Sequence, residues 1–188
     1  MINTSKTKIL LTSAGFDEEK IRDIFLGFVG KPPKDIKVLF IPTAAIDEAA
    51  IRVLPLCMDD LLKSDIPAAN IRVFDLHRSL SYEELTAFDG IYFTGGSTQY
   101  LLERINATGF NISLNEFVNN GGVYVGVSAG SCVAAGNLPD NLGYLRASLR
   151  VHTETVTDIG IFDNDVVTDI DLTDKNAVII NNGKYEIV

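Results

Sequence analysis

Gly121-Gly122-Val123-Tyr124-Val125-Gly126-Val127-Ser128-Ala129-Gly130 is the stretch whose reading decides the fold of this chain. Val123 to Val127 is short, apolar and rich in valine, as a strand buried on both faces should be. The Ala129 to Ala135 run behind it is helix-compatible, and Ser128 stands at the junction in a Gly-x-Ser-x-Gly turn. A serine thrown onto a sharp strand-to-helix turn leaves little room for neighbours. That explains Gly126 and Gly130 and exposes the hydroxyl. The backbone N–H of Ala129 then points where an oxyanion would form, beside the positive end of the helix. The pattern reads as a nucleophile elbow, and its plain alternative is a turn that holds a small residue.

Working outward, four more apolar runs alternate with helical patterns: Lys8 to Thr12, Lys37 to Pro42, Ile71 to Leu76 and Gly90 to Phe93. Alternation of this kind predicts a layered α/β domain with a largely parallel sheet, and the five runs are expected at its centre. Asp17 to Phe28 places Ile21, Ile24, Phe25 and Phe28 at helical spacing, with Gly30 and Lys31-Pro-Pro-Lys34 to stop it. Ile51 to Leu62 is also helical, and Pro55 means that this helix either begins there or kinks. Thr98 to Ile105 and Asn111 to Val118 are two shorter helical patterns. Leu145 to Thr153 alternates, with Arg146, Ser148, Arg150 and His152 on one face, and predicts a strand with one polar face. Ala177 to Ile187, with Asn181-Asn-Gly183 between two apolar stretches, predicts a C-terminal hairpin.

With 188 residues, 46 % of them hydrophobic, the chain is expected to form a single domain, 1–188. No apolar run approaches the roughly 20 residues a membrane helix requires. The opening residues lack a signal-peptide core and lead directly into a strand, so a cytoplasmic location is expected. The sequons at Asn3, Asn106 and Asn111 mean little without a secretory route. A net charge of −9 excludes the concentrated basic face that nucleic acid demands. Cys57 and Cys132 fall in no paired ligand spacing and read as buried small hydrophobes rather than a disulfide. No metal and no cofactor is expected.

A serine hydroxyl needs a base, and the chain offers two histidines, His77 and His152. His77 follows a strand at a sheet edge where ligands gather, while His152 lies on a polar strand face downstream of the elbow, which favours it. The acid stays open on composition: Glu154, Asp158, Asp163, Asp165, Asp169, Asp171 and Asp174 all follow His152. A second glycine pair, Gly95-Gly96, sits where another strand gives way to a helix, and the Gly96 N–H suits a second oxyanion donor. The plain reading of that pair is a tight turn.

Taken in order, Ile9-Leu-Leu-Thr-Ser-Ala-Gly15, Val38-Leu-Phe-Ile-Pro-Thr-Ala44, Ile91-Tyr-Phe-Thr-Gly-Gly-Ser-Thr-Gln-Tyr-Leu-Leu102, the elbow, and Leu142-Gly-Tyr-Leu145 with a strand ending in His152 resemble the peptidase E family. These are serine peptidases of the aspartyl dipeptidase and cyanophycinase type. The resemblance implies a flavodoxin-like, three-layer α/β/α fold related to the class I glutamine amidotransferases. It also implies Ser128 as nucleophile, His152 as base, and Gly96 with Ala129 as oxyanion donors. The family's acid lies in a turn before the last strand, which points to Asp174 within Leu172-Thr-Asp-Lys-Asn176.

The implied activity is hydrolysis of short peptides, including dipeptides with an acidic first residue, by a monomer or homodimer. The alternatives are another serine hydrolase or amidase, such as a cyanophycinase-like β-aspartyl peptidase, and a catalytically silent binding protein. Three features depart from the family. Ser97-Thr98-Gln99 replaces the Asn-Thr that often follows the double glycine, leaving Ser97 and Gln99 as candidate substrate contacts. The segments after Asn137 and His152 look short. No arginine follows His152, where aspartyl-specific members place one. Arg150, about 7 Å along the strand from His152, is the local substitute for holding a substrate carboxylate.

Overall fold

The computed structural model describes residues 6–165, 168–181 and 184–188. Five parallel strands form the body of its main sheet: β1 (Lys8–Thr12), β2 (Val38–Ile41), β3 (Ile71–Val73), β4 (Gly90–Phe93) and β5 (Val123–Val127). Their spatial order is β3-β2-β4-β5-β1. Beyond β1 the sheet continues antiparallel through β9 (Ala177–Asn181), β10 (Lys184–Ile187) and β7 (Gly160–Asp163). The expected hairpin is therefore β9 and β10, and its turn at Asn182-Gly183 lies outside the described residues, as does Asn3. A separate pair, β6 (Ser148–Arg150) with β8 (Asp169–Asp171), runs parallel.

Strict alternation along the strands splits the core in two. Leu10, Val38, Phe40, Tyr92 and Val125 pack on one face with Ile21 and Phe25 of α1 (Glu19–Val29) and Cys57 and Leu61 of α2 (Glu48–Leu62). Ile9, Leu11, Leu39, Phe93 and Tyr124 face the other way, toward α3 (Tyr82–Leu85), α4 (Thr98–Ala107), α5 (Phe110–Asn119) and the short α6 (Ala129–Cys132). The result is a three-layer sandwich with helices on both faces of a mostly parallel sheet. Both cysteines are free and buried.

Two expectations change and one open alternative is settled. Ile71 to Leu76 is not central: only Ile71–Val73 pairs, at the sheet edge, where Arg72 and Val73 are exposed. Pro55 does not begin its helix. Asp47 caps α2, accepting the Ala50 N–H at 2.9 Å, and Pro55 sits on the exposed side of the helix interior, where its missing N–H costs one bond. The strand expected over Leu145 to Thr153 shrinks to Ser148–Arg150, because His152 turns into the left-handed region at φ 58° and leaves the strand. The inward-outward alternation from Leu145 to Arg150 holds.

Candidate active site

Parallel pairing brings the ends of β4, β5 and β1 to one edge of the sheet, the edge at which open α/β sheets receive ligands. Ser128 follows β5 directly, with φ 49° and ψ −104°, a sparsely populated conformation for a residue with a side chain. The neighbouring strand holds it there. The Ser128 N–H donates to Thr12 O at 3.0 Å, and the Ser131 hydroxyl reaches Thr12 O at 2.7 Å and Gly126 O at 2.8 Å. Both flanking glycines are forced by crowding. A Cβ on Gly126 would meet Gly130 O at 2.5 Å, and one on Gly130 would meet Phe93 O at 2.7 Å. The helix behind Ser128 is a single turn of four residues, so little macrodipole stands behind it.

β9 runs antiparallel to β1 with Thr12 opposite Ala177, which carries the turn before β9 to the same edge. Asp174 lies in that turn. His152 Nδ1 is 2.7 Å from Asp174 Oδ1, and His152 Nε2 is 3.1 Å from Ser128 Oγ. Ser13, the residue after β1, completes the cluster: its hydroxyl donates to Asp174 Oδ1 at 2.7 Å, accepts the His152 backbone N–H at 2.7 Å, and lies 3.2 Å from His152 Nδ1. The Ser13 hydroxyl, followed by the His152 ring, holds the Asp174 carboxyl below its ordinary value, so it stays ionised as a partner for imidazolium. Such a hydroxyl, imidazole and carboxylate in sequence can move a proton off the serine oxygen.

The Gly95-Gly96 turn lies against Ser128, with a Cβ on Gly95 placed 3.2 Å from Ser128 Cβ. Gly96 adopts φ +135° and packs so tightly that a Cβ would fall 2.1 Å from Ala44 O. Both Gly96 and Ser128 line a pocket of about 420 Å³, together with Ser13, His152 and one face of α2. At its floor Asp60 accepts the Phe16 N–H at 3.0 Å and the Tyr92 hydroxyl, and burial pushes its carboxyl up to about 6. Beside it burial pushes the Cys57 thiol up to about 11, which keeps that sulfur protonated and unreactive at neutral pH.

Ser128, His152 and Asp174 are thus brought together, with Gly96 and Ala129 at the same turns. The three expected substrate contacts are not. Ser97 caps α4, accepting the Tyr100 N–H at 3.2 Å, and Gln99 bonds Glu103 at 2.9 Å; neither lines the pocket. Arg150 is held by Asp171 at 2.5 Å and Asp169 at 3.7 Å on the β6–β8 pair, outside the pocket, because its strand ends before His152 turns inward. His77 folds back on its own loop, with Nδ1 2.8 Å from Asp75 O. Sequence reasoning missed Ser13 and Asp60. Ser13 stood inside the Ile9 to Gly15 motif, and its place directly after a strand was the available signal.

The fold and this cluster define a three-layer α/β protein with a serine, a histidine and an aspartate gathered at the carboxyl edge of its sheet. The chain belongs to peptidase family S51, whose model matches residues 9–167. It is 30 % identical over 136 residues to the uncharacterized peptidase PM1590 of Pasteurella multocida strain Pm70. That alignment covers 70 % of this chain and 61 % of the relative, so the chain matches under two thirds of the relative's length. Among solved structures, it resembles a protein assigned to peptidase E from Listeria monocytogenes EGD-e, with TM-score 0.71, 20 % identity, and 97 % of this chain and 98 % of that chain covered. A peptidase from an acI-B1 Actinobacterium matches with TM-score 0.64 and 16 % identity, over 100 % of this chain and 89 % of that one. Both share the fold. No helix among the described residues is long and apolar enough to cross a membrane.

Proposed function

We propose that this chain hydrolyses short peptides by acyl transfer through Ser128. The observation that carries the reading is the run of contacts from Ser128 Oγ to His152 Nε2 at 3.1 Å and from His152 Nδ1 to Asp174 at 2.7 Å. His152 takes the hydroxyl proton as Ser128 attacks the scissile carbonyl carbon. Asp174 keeps the proton on Nδ1, so that Nε2 is free to accept, and balances the imidazolium that forms. The Gly96 and Ala129 N–H groups receive the oxyanion. Collapse of the tetrahedral intermediate expels the amine, which takes its proton from His152. Water, deprotonated by His152, then attacks the acyl-enzyme and releases the acid, restoring Ser128.

The pocket beside Ser128, about 420 Å³, suits the acyl residue of a short peptide. An acidic first residue finds no cation in its lining among the described residues, and Arg150 is engaged elsewhere. The reading is therefore of short peptides without that restriction. No contact favours a β-aspartyl linkage, and a silent binding protein would have no use for three polar groups held in hydrogen-bonding sequence.

The test is labelling by a fluorophosphonate followed by a dipeptide panel. Native protein should be modified at Ser128, and His152→Ala should slow modification by roughly 10³-fold. Absence of labelling in the native protein would overturn the reading.

A further inference from the structure

The charge of the Ser128 pocket is one-sided. Asp17, Asp47 and Asp60 all line it, and among the described residues no lysine or arginine does. Beside the Ser128 site, the lining includes the aliphatic side chains of Ala50, Val53 and Leu56 of α2 and of Val127. Val53 and Leu56 are exposed although they flank a catalytic cleft, so the fold itself does not use their side chains.

Asp60 is the carboxylate that points inward. Both of its hydrogen bonds, from the Phe16 N–H and the Tyr92 hydroxyl, fall on Oδ2. No hydrogen bond from the described residues falls on Oδ1, and Asp60 is one of the residues that line the pocket. Burial disfavours its charge most; the Tyr92 hydroxyl and the Phe16 N–H favour it, Asp17 opposes it and Lys63 adds the smallest offset, leaving the carboxyl raised to about 6. A cation in the pocket would relieve the costs of burial and of Asp17. An acidic side chain would add a fourth negative charge.

We infer that the pocket beside Ser128 selects a basic acyl residue, lysine or arginine, whose aliphatic stem lies along Val53 and Leu56 and whose charged head meets Asp60. The inference rests on Ser128 being the nucleophile. It reverses the acidic preference expected from the family resemblance. Asp47, whose side chain already caps α2, and Asp17 at the mouth add to the field; Asp60 supplies the contact.

The experiment uses diphenyl aminoalkylphosphonates carrying lysine, norleucine or aspartate side chains. Each phosphonylates the serine oxygen with loss of phenoxide, and all three keep the same free α-amino group. A fluorophosphonate without an amino acid side chain serves as the reference. The lysine reagent should label Ser128 at least tenfold faster than norleucine, which has the same stem without the charge, and at least 100-fold faster than aspartate. In Asp60→Asn, which retains an acceptor for Phe16 and Tyr92, the lysine-to-norleucine ratio should fall at least fivefold. Equal lysine and norleucine rates would overturn the inference while leaving the peptidase reading intact, because Asp60 would then at most hold the α-amino group. A faster aspartate reagent would overturn it as well. Failure of the fluorophosphonate to label Ser128 removes the nucleophile and both readings together. If Asp60→Asn does not fold, the native ratios alone decide.

Discussion

The Ser13 hydroxyl donates to Asp174 Oδ1 at 2.7 Å while the same oxygen accepts the His152 backbone N–H at 2.7 Å. One buried side chain from the end of β1 therefore fixes both the carboxylate and the backbone of the histidine that the carboxylate orients. His152 needs such a hold, since its φ of 58° is unfavourable for a side-chain-bearing residue.

Ser13→Ala removes both bonds and leaves Ser128 untouched. The expected outcome is a kcat lowered roughly 10- to 100-fold with KM within about twofold, since positioning is lost and binding is not. Steady-state kinetics on a dipeptide checks this. A rise in KM with kcat unchanged would show that Ser13 serves the substrate instead.

Gly96→Ala tests the second oxyanion donor. A Cβ there would sit 2.1 Å from Ala44 O, and the φ of +135° is one that alanine avoids, so the turn must shift. The Ser128, His152 and Asp174 contacts involve none of these atoms. We expect kcat/KM to fall roughly 10²- to 10³-fold. An unchanged kcat/KM in a folded variant would remove Gly96 from the oxyanion site.

These residues differ in how far the sequence discloses them. Ser128 was legible because its Gly-x-Ser-x-Gly turn is written within five residues, although the crowding that demands Gly130 comes from Phe93 on β4. His152 was legible through scarcity, as one of two histidines. Asp174 was one acid among seven by composition, and only the family resemblance singled it out. It reaches the site because β9 pairs antiparallel with β1, a long-range choice that no local pattern announces. Ser13 and Asp60 were hidden for the same reason. Each acquires its role from strand order or from helix packing against the sheet, with Asp60 bonded to Phe16 in the β1–α1 loop and to Tyr92 of β4. The fold's layers were readable from alternating apolar runs. The edge position of β3 was not, because Ile71 to Leu76 is as apolar at its ends as a central strand.

Asp60 predicts a pH-dependent stability. Its carboxyl is raised from 3.8 to about 6, mainly by burial, so the folded state binds the proton more tightly than the unfolded chain. The stability associated with that proton is fully present below 3.8 and lost as pH rises through about 6. Asp60→Asn carries no such titration. Relative to that variant, the native protein should gain about 1.4 kcal/mol between pH 8 and pH 5, a relative rise in Tm of roughly 3–5 °C. Calorimetry of both proteins across this range checks it, and parallel Tm curves would mean that Asp60 is not desolvated.

Asp174 predicts the opposite sign and a larger effect on catalysis. Ser13 and His152 hold its carboxyl below the ordinary 3.8, so the stability it contributes is present above that value and lost as pH falls through its lowered one. Asp174→Asn should therefore be less stable than the native protein at neutral pH, and the deficit should close only in strong acid. The amide cannot balance imidazolium, and it permits the tautomer with the proton on Nε2, where Ser128 needs an acceptor. We expect kcat to fall roughly 10⁴-fold while KM stays within a few-fold. Kinetics at pH 7 to 8, paired with Tm measured down to pH 3, test both halves. A variant that keeps native kcat would leave Asp174 a structural partner of Ser13 and would send the search for the acid back to the other carboxylates that follow His152.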